Sequence, residues 1–411
     1  MTIIVGAGLS GLACALTLHR AGKPFLLLEA APVVGGRQRT THREGFTLDH
    51  GFQVVLSSYP SVAHLTSVGA LQPRWFESGA LLHNNGRLSH LASPLENPIA
   101  AVTSPALRFA DKLRLAFLGA ELLLQRDKKL LWRCGSASDT GTRTFLEQRG
   151  FSPAFQSSFA QPFFGGVLLD NDLSTSSGLF LYYLKKFITG RAWVPAGGIA
   201  ALPASIAAQL PPQSIRVNAR VAEISPGDTG VILESGEQIH ATQLVLALDQ
   251  PSLHRLLKLP PTSPARGVAV VYFKTRTSLY SNRCLVLPQG HARRVRHFVQ
   301  ITNIAPEFAP HGWHLISATV LNYSDLPGGQ LVTEAAREIT EIFPHAAGNL
   351  DHLETITVPY AVPSQPPGFS TDSLIPHLPQ GVHAIGDWKG GACIQTALDS
   401  GISAAKKLVS L

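Results

Sequence analysis

The sequence lacks the features that define several large classes of protein. Its 411 residues contain only four cysteines, with no CxxC pair and no histidine partner at ligand spacing. This scatter excludes an evident zinc site and argues against a disulfide framework. From the sequence alone we therefore expect no metal. The cysteines are Cys14, Cys134, Cys284 and Cys393.

Long apolar runs are missing as well. No stretch reaches the roughly 18 uninterrupted apolar residues that a membrane-spanning helix requires. No internal repeat of solenoid period is present either. A strand-like segment begins at Thr2 without a basic leader, so we expect no signal peptide. These absences predict a soluble cytoplasmic protein, and 411 residues are enough for two domains with a buried core each.

The formal net charge is +7, and much of it lies in the segment 107–133, which has a local excess of four positive charges. Neither this segment nor the cluster at 293–296 interleaves aromatic residues with basic ones, so we expect no nucleic-acid partner. Leucines and Phe117 stand among the charged residues of 107–133. Two interpretations stay open: a helix lying on an anionic membrane surface, or a domain-packing helix with a solvated basic face.

The first 29 residues carry a nucleotide-binding pattern. An apolar strand, Thr2–Val5, is followed by the turn GAGLSG and a helical pattern. A second apolar strand, Phe25 to Leu28, then leads into Glu29. The three glycines of this turn permit a tight bend (Gly6), the approach of a pyrophosphate (Gly8) and close packing of helix on strand (Gly11). The N–H groups that begin the helix can bind phosphate, and the carboxylate of Glu29 can accept both hydroxyls of a ribose.

A second glycine motif follows within one loop. Gly35 and Gly36 let another backbone segment approach the dinucleotide, and Arg37 can neutralise pyrophosphate charge. This motif resembles the FAD-binding fingerprint of the superfamily that contains amine oxidases, protoporphyrinogen oxidase and phytoene desaturases. The resemblance favours FAD over NAD as the cofactor.

The other end of the chain resembles the same superfamily. A strand-like run, 382–385, ends at Gly386 and Asp387, and a helix rich in small residues follows from about 394 to 408. The resemblance implies that Asp387 accepts a hydrogen bond from the ribityl chain. It also implies that the helix N-terminus faces the flavin pyrimidine ring, where we expect the backbone N–H groups of Gln395 and Thr396 to donate.

A third similarity lies in the middle of the chain, where the resemblance implies that the backbone of Val221 contacts adenine. The match to the superfamily is strongest at 2–58, 191–250 and 382–408. The residues expected to bind FAD are Gly6, Gly8, Leu9, Ser10, Gly11, Glu29, Ala30, Gly35, Gly36, Arg37, Val221, Gly386, Asp387, Gln395 and Thr396.

The predicted fold class is α/β, with a two-part Rossmann-type FAD-binding domain and a second α+β substrate domain. We expect the FAD-binding domain to be discontinuous, formed by 1–58, 191–250 and 370–411. The substrate domain, or cap, is expected at 59–190 and 251–369. Strand patterns at 268–273 and 315–321 and a helical pattern at 333–343 belong to the cap.

Catalytic residues are harder to predict. His50 is a candidate acid, base or substrate contact, although a polar group at a domain crossing is often only hydrogen-bonded. By resemblance to amine oxidases, Tyr360 and Trp388 are candidate aromatic walls against the flavin. No lysine is convincingly placed to face the flavin, since Lys274 stands at a turn. Cys393 is expected to be a small buried thiol rather than a covalent link to flavin.

A group of aromatic residues in the cap can either line an apolar cavity or pack in the core. The sequence does not separate these alternatives. The residues are Phe163, Phe164, Phe180, Tyr182, Tyr183 and Phe187.

The predicted function is that of an FAD-dependent oxidoreductase, which takes hydride from a C–H bond of a mostly apolar, lipophilic substrate. It would be a desaturase or oxidase with oxygen or a quinone as electron acceptor. The alternatives are an amine oxidase of the same fold and a non-catalytic carrier like the Rab GDP-dissociation inhibitors. A nicotinamide dehydrogenase is a further alternative, but it leaves the C-terminal motif unexplained.

Overall fold

A computed structural model describes residues 1–84, 86–92, 99, 103–225, 229–260, 265–290, 293–369 and 378–410. Within these ranges the strands are β1 (Thr2–Val5), β2 (Phe25–Leu28), β3 (Thr40–Arg43), β4 (Phe46–Asp49), β5 (Val55–Leu56), β6 (Pro73–Trp75), β7 (Gly79–Asn84), β8 (Arg87–Ala92), β9 (Ala192–Pro195), β10 (Ile215–Arg216), β11 (Val221–Ile224), β12 (Val231–Leu233), β13 (Gln238–Ile239), β14 (Gln243–Leu246), β15 (Arg266–Thr275), β16 (Leu285–Pro288), β17 (Val295–Gln300), β18 (His314–Val320), β19 (Asp351–Val362) and β20 (Val382–Ala384).

The α-helices in the same ranges are α1 (Leu9–Arg20), α2 (Pro60–Leu65), α3 (Phe109–Leu124), α4 (Asp127–Arg133), α5 (Thr142–Gln148), α6 (Pro153–Phe155), α7 (Gln161–Leu168), α8 (Ser177–Thr189), α9 (Ala201–Ala207), α10 (Gln250–Leu256), α11 (Gly328–Ile342) and α12 (Ile394–Val409).

A parallel sheet of five strands carries both terminal motifs. Its order is β10-β2-β1-β14-β20, and every neighbouring pair is parallel. Strands buried on both faces read as continuous apolar runs, as these do. Ile4 packs on one face among residues of α1 and α12, whereas Ile3 and Val5 pack on the opposite face.

Glycines allow α1 to lie unusually close to its neighbours. A Cβ on Gly11 would lie 1.9 Å from the carbonyl oxygen of Gly6, and a Cβ on Gly401 would lie 2.1 Å from that of Ser10. No side chain fits at either contact. The close packing places the start of α12 beside the first glycine turn, although the two are at opposite ends of the chain.

The second sheet has seven strands in the order β19-β15-β18-β17-β16-β7-β8. Adjacent strands within this sheet are antiparallel, except for the parallel pair β16–β7. Leu331, Ala335 and Ile339 of α11 pack against one face of this sheet. The predicted fold class, a Rossmann-type α/β domain with an α+β cap, is confirmed.

The predicted domain boundaries remain predictions. Val62 and Leu65 of α2 lie beyond the boundary expected at 58, yet they pack in the same core as α1 and α12. The boundary expected at 370 falls on a residue outside the described ranges.

The basic segment forms two helices, α3 and α4, rather than one. Its exposed residues are partly apolar: Phe117 is 75% exposed and Leu124 is 90% exposed. Leu118, Leu122 and Leu130 of the same segment pack in the core of the cap, as the domain-packing alternative expects, so both interpretations remain predictions. In the part of the chain that the structure describes, no helix is both long and apolar enough to cross a bilayer.

Candidate flavin and substrate site

One large cavity lies between the parallel sheet and the seven-stranded sheet. Its volume is about 1650 Å³, above the roughly 300–1,000 Å³ of ordinary ligand pockets. The glycine turn after β1 and Glu29 line one end, and phenylalanines from the cap line the other. Predicted FAD contacts that line this cavity are Gly6, Gly8, Leu9, Ser10, Glu29, Ala30, Gly35, Gly36, Arg37, Val221, Gly386 and Asp387.

The first glycine turn has the geometry of a phosphate cradle. Gly6 has a φ of +100°, which favours glycine. A Cβ on Gly8 would have no atom within 4 Å, so this side of the turn is open towards the cavity. Gly11 does not line the cavity but packs α1 against the turn. The free N–H groups at the start of α1 therefore face a space that a pyrophosphate fits.

Glu29 stands at the end of β2 and stabilises the loops on either side. Its two carboxylate oxygens each accept a backbone N–H, Oε2 from Ala7 at 2.7 Å and Oε1 from Ala31 at 2.8 Å. A carboxylate has about four acceptor sites, so both oxygens can still accept from ribose hydroxyls. The residue thus fits the predicted contact with adenosine.

The second glycine motif lies directly on the first. The N–H of Gly35 donates to the carbonyl of Ala7 at 2.8 Å, and a Cβ on Gly36 would lie 3.2 Å from the Cα of Gly8. Arg37 then extends from this loop and forms an ion pair with Asp387, with Nη2 and Oδ1 2.7 Å apart. The sequence indicated a separate role for each of these two residues, and the structure pairs them.

Helix α12 begins at the predicted residue, but the residues at its start that line the cavity are not the two expected ones. Gln395 and Thr396 do not line the cavity, whereas Ala392, Cys393 and Ile394 do. The side chain of Gln395 donates to Ser61 and Asp399 on the protein side. The backbone N–H of Thr396 is taken by the sulfur of Cys393, which caps the helix.

Comparison with known proteins decides the family. Residues 9–409 match the model of the flavin containing amine oxidoreductases. The chain belongs to this family. Because it does, the predicted FAD cofactor and the class of FAD-dependent oxidoreductase are confirmed at the level of the family, and the nicotinamide alternative is not supported.

The chain resembles individual curated proteins only at low sequence identity and over part of its length. The chain is 28% identical to the lycopene-forming phytoene desaturase of Pseudescherichia vulneris over 268 residues, which are 56% of this chain and 51% of that protein. It is 29% identical to protoporphyrinogen oxidase 2 of Arabidopsis thaliana over 168 residues, 40% of this chain and 32% of that protein. In these curated relatives the matched region spans about half of the length or less.

The fold is shared with solved structures of low sequence identity. Cyclohexylamine oxidase from Brevibacterium oxydans superposes with a TM-score of 0.73 at 16% identity, covering 100% of this chain and 98% of the other. This likeness establishes the fold of this flavin-containing oxidoreductase and leaves its substrate open.

Trp388 does not lie where the sequence analysis expected. It is fully buried under the parallel sheet among Ile3, Val5 and Leu244, and its Nε1–H donates to the carbonyl of Leu248 at 3.0 Å. It is absent from the cavity wall. The expectation that Trp388 forms an aromatic wall against the flavin is therefore wrong, because the 3₁₀ turn after Gly386 directs the indole into the core.

Tyr360 and His50 remain near the cavity. The Tyr360 hydroxyl donates to Gln250 at 3.1 Å, and its ring lies under the guanidinium of Arg37 at 5.5 Å. His50 lines the cavity with Nε2 2.8 Å from the Thr41 hydroxyl. Burial and the nearby charge of Arg39 lower the pKa of His50, so the imidazole is neutral at pH 7.

The aromatic residues of the cap divide into two groups. Phe163, Phe164, Tyr183 and Phe187 line the cavity, whereas Phe180 and Tyr182 are buried in the cap core.

Cys393 is only half-buried and lines the cavity, so it is not the enclosed thiol that we expected. Lys274 pairs with Glu44 at 2.6 Å, outside the cavity wall.

Sequence reasoning missed two contributions to the site. His297 of β17 lines the cavity with Nε2 2.9 Å from the Thr319 hydroxyl, and its ring meets that of Phe52 at 5.0 Å. Burial lowers its pKa to about 3, so it is neutral. Helix α3 also lines the cavity, through Leu113, Ala116 and Ala120 among others. Only the fold brings either segment to the cavity wall.

Proposed function

We propose that this flavoenzyme takes a hydride from a C–H bond of a mostly apolar organic substrate, as a desaturase or an oxidase does. The observation that carries the proposal is the continuity of the cavity, which joins the nucleotide-binding glycines to a chamber walled by apolar side chains. Phe52, Phe76, Phe159, Phe163 and Phe187 are among these walls. Such a chamber binds apolar carbon skeletons and excludes water from the reacting atoms.

Different residues of the chain would bind and orient different parts of FAD. The turn at Gly8 and the N-terminus of α1 would hold the pyrophosphate, and Glu29 would hold the adenosine ribose. Arg37 and Asp387 would sit beside the ribityl and phosphate portion. FAD, when bound, supplies the hydride acceptor. The N-terminus of α12, capped by Cys393, would stabilise negative charge at the pyrimidine end of the flavin.

No side-chain base is required by this proposal. His50 and Tyr360 remain candidates for substrate contact or proton transfer, since both lie next to the residues proposed to hold FAD. Two features weigh against the alternative of amine oxidation: the indole of Trp388 is buried away from the cavity, and Lys274 lies outside the cavity wall. The carrier alternative is disfavoured by the intact nucleotide-binding residues.

We further propose that α3 and α4 place this enzyme on an anionic membrane surface. Phe109, Phe117, Leu124 and Trp132 are at least 65% exposed, and they stand among the excess of basic residues of the same segment. Exposed apolar side chains flanked by Lys and Arg are typical of helices that lie in a membrane interface. Phe109 also lines the cavity, together with Ala116 and Ala120 of α3, so a lipophilic substrate would enter beside this exposed surface.

The first experiment purifies the protein and records its flavin spectrum, then mixes it anaerobically with three classes of compound. These are water-soluble amines, porphyrinogens and carotenoid precursors in lipid vesicles. We expect a yellow protein whose flavin bleaches with a porphyrinogen or a polyene. A colourless protein that refuses added FAD supports the carrier alternative, and bleaching by amines alone supports amine oxidation. Reoxidation by oxygen is then compared with reoxidation by a quinone.

The second experiment measures sedimentation of the protein with vesicles. Binding should require anionic lipid, fall with salt, and weaken about tenfold when Phe117 and Leu124 are both replaced by serine. Val217→Ser is the matched control, because Val217 is also exposed but lies in the bend that follows β10 of the parallel sheet. Equal loss of binding in the control, or no loss in the double variant, contradicts the proposed surface.

A further inference from the structure

Three potential metal ligands meet at one edge of the seven-stranded sheet. Glu77 lies two residues before β7, His90 lies within β8, and Cys284 immediately precedes β16. These three strands are neighbours in the order β16-β7-β8. One ligand atom from each residue, a carboxylate oxygen, an imidazole nitrogen and a thiol sulfur, lies within 4.8 Å of the other two.

The backbone between these ligands leaves room for the imidazole. Gly79 has a φ of +150°, and a Cβ there would lie 2.3 Å from the Leu91 carbonyl and 3.3 Å from Nε2 of His90. Only glycine therefore lets the His90 side chain lie across β7 towards its two partners. Cys284 is buried, Glu77 is half-buried and His90 is exposed, so the group offers one fixed ligand and two adjustable ones.

We propose that Glu77, His90 and Cys284 bind a divalent cation of the zinc type. A sulfur, a nitrogen and an oxygen ligand form the mixed set that zinc prefers, with a water completing a tetrahedron. Bonds of about 2.0–2.3 Å place tetrahedral ligands roughly 3.5 Å apart. Because the three ligand atoms lie within 4.8 Å of one another, we expect the exposed His90 and half-buried Glu77 side chains to close that distance on binding.

Binding displaces one proton and one ion pair. The Cys284 thiol loses its proton to solvent when the sulfur becomes a ligand, and Glu77 exchanges the guanidinium of Arg283, whose Nε lies 3.6 Å from Oε1, for the metal. The bound ion would link β16, β7 and β8 to one another. This link would lie at a wall of the cavity, since Glu77, Gly79 and Ala80 line the cavity. The proposal does not depend on the substrate or on FAD.

The test uses untagged holoenzyme that has been treated with a chelator and then titrated with Zn²⁺ and, separately, with Co²⁺. Zinc binding is followed by competition with a chromophoric chelator, and cobalt binding by the thiolate-to-cobalt absorption band. The variants are His90→Ala, Glu77→Gln and Cys284→Ser. His311→Ala is the control, because His311 is exposed and lies in the turn before β18, a strand that is not adjacent to β16, β7 or β8.

We expect one equivalent of zinc per chain and a cobalt–thiolate band in the parent and in His311→Ala. Affinity should fall at least tenfold in His90→Ala and in Glu77→Gln, and the cobalt band should vanish in Cys284→Ser. Flavin content reports that each variant is folded. Absence of stoichiometric binding in the parent, or equal binding by the parent and His90→Ala, overturns the proposal.

Discussion

Nη2 of Arg37 lies 2.7 Å from Oδ1 of Asp387, and Nη1 of the same guanidinium donates to the carbonyl of Ala361 at 2.7 Å. Arg37 belongs to the second glycine loop, Asp387 to the C-terminal motif and Ala361 to the cap strand β19. One side chain therefore joins the two nucleotide motifs to the second sheet, at the wall of the cavity.

Replacing Arg37 by Ala should weaken FAD binding because Asp387 loses its partner and the second loop loses its tie to β19. A hydrogen bond to a charged group contributes roughly 1.5–3 kcal/mol, so the dissociation constant for FAD should rise about 10- to 100-fold. Fluorescence of released flavin measures it. Arg87→Ala, at an exposed residue of β8, should bind as the parent does. Unchanged FAD affinity in Arg37→Ala would contradict this role.

Replacing either of two glycines of the first turn by alanine should impair the protein, one through FAD binding and the other through stability. Gly8→Ala should fold normally, because nothing lies within 4 Å of its Cβ and its φ is −74°, yet it should lose FAD because the methyl group occupies the phosphate space. Gly11→Ala should unfold at lower temperature even without FAD, since its Cβ would lie 1.9 Å from the Gly6 carbonyl. Thermal unfolding of the two apoproteins and FAD titration separate these effects. A Gly8→Ala variant that retains FAD as well as the parent would show that the phosphate lies elsewhere.

Replacing Glu29 by Ala should both weaken FAD binding and loosen the turn. Two backbone N–H groups, those of Ala7 and Ala31, lose their acceptor, at a cost of roughly 1–3 kcal/mol for each group left buried. The apoprotein should therefore unfold at a lower urea concentration, and FAD content after dialysis should fall. Glu223→Ala, at an exposed residue, is the control. Full FAD retention in Glu29→Ala would place the ribose contact on another residue.

Much of the nucleotide-binding fold was predictable from local sequence. The strands of the parallel sheet are short apolar runs, and β1 and β2 have the predicted bounds, because burial on both faces demands such runs. The roles of Gly6 and Gly11 followed from chemistry that depends only on adjacent residues.

Contacts between distant segments were not predictable in this way. No local pattern records that Arg37 pairs with Asp387, that Trp388 turns into the core, or that Cys393 caps α12. The apolar residues of 107–133 left two interpretations open, a helix on a membrane surface and a domain-packing helix. In the structure Phe117 and Leu124 are exposed, whereas Leu118 and Leu122 of the same helix pack in the core of the cap.

The stability of the protein should depend on pH through Asp49. Burial raises the pKa of Asp49 to about 6, although its Oδ1 accepts from the Thr40 hydroxyl and from the N–H of Ile199. The folded state then holds a proton that the unfolded state releases near pH 4, so stability falls as pH rises from about 4 to 6 and changes little above. The slope attributable to this group is at most about 1.4 kcal/mol per pH unit.

Asp49→Asn keeps an oxygen for both hydrogen bonds and cannot ionise. Urea unfolding at pH 4.5 and at pH 7 should show that the variant loses less stability than the parent between the two values. At pH 7 the variant should be the more stable protein, by about 2–3 kcal/mol. A variant with the same pH slope as the parent would show that Asp49 stays ionised in the folded state.

The central claim is that the bound flavin accepts hydride from a lipophilic carbon skeleton, and single-turnover reduction of the holoenzyme tests it directly. The enzyme is mixed without oxygen with a polyene or a porphyrinogen carried in anionic vesicles, and the flavin absorbance is followed. The account predicts bleaching with at least one of these compounds, slowed when Phe117 and Leu124 are serine. Bleaching by water-soluble amines with no response to either lipophilic class would contradict it.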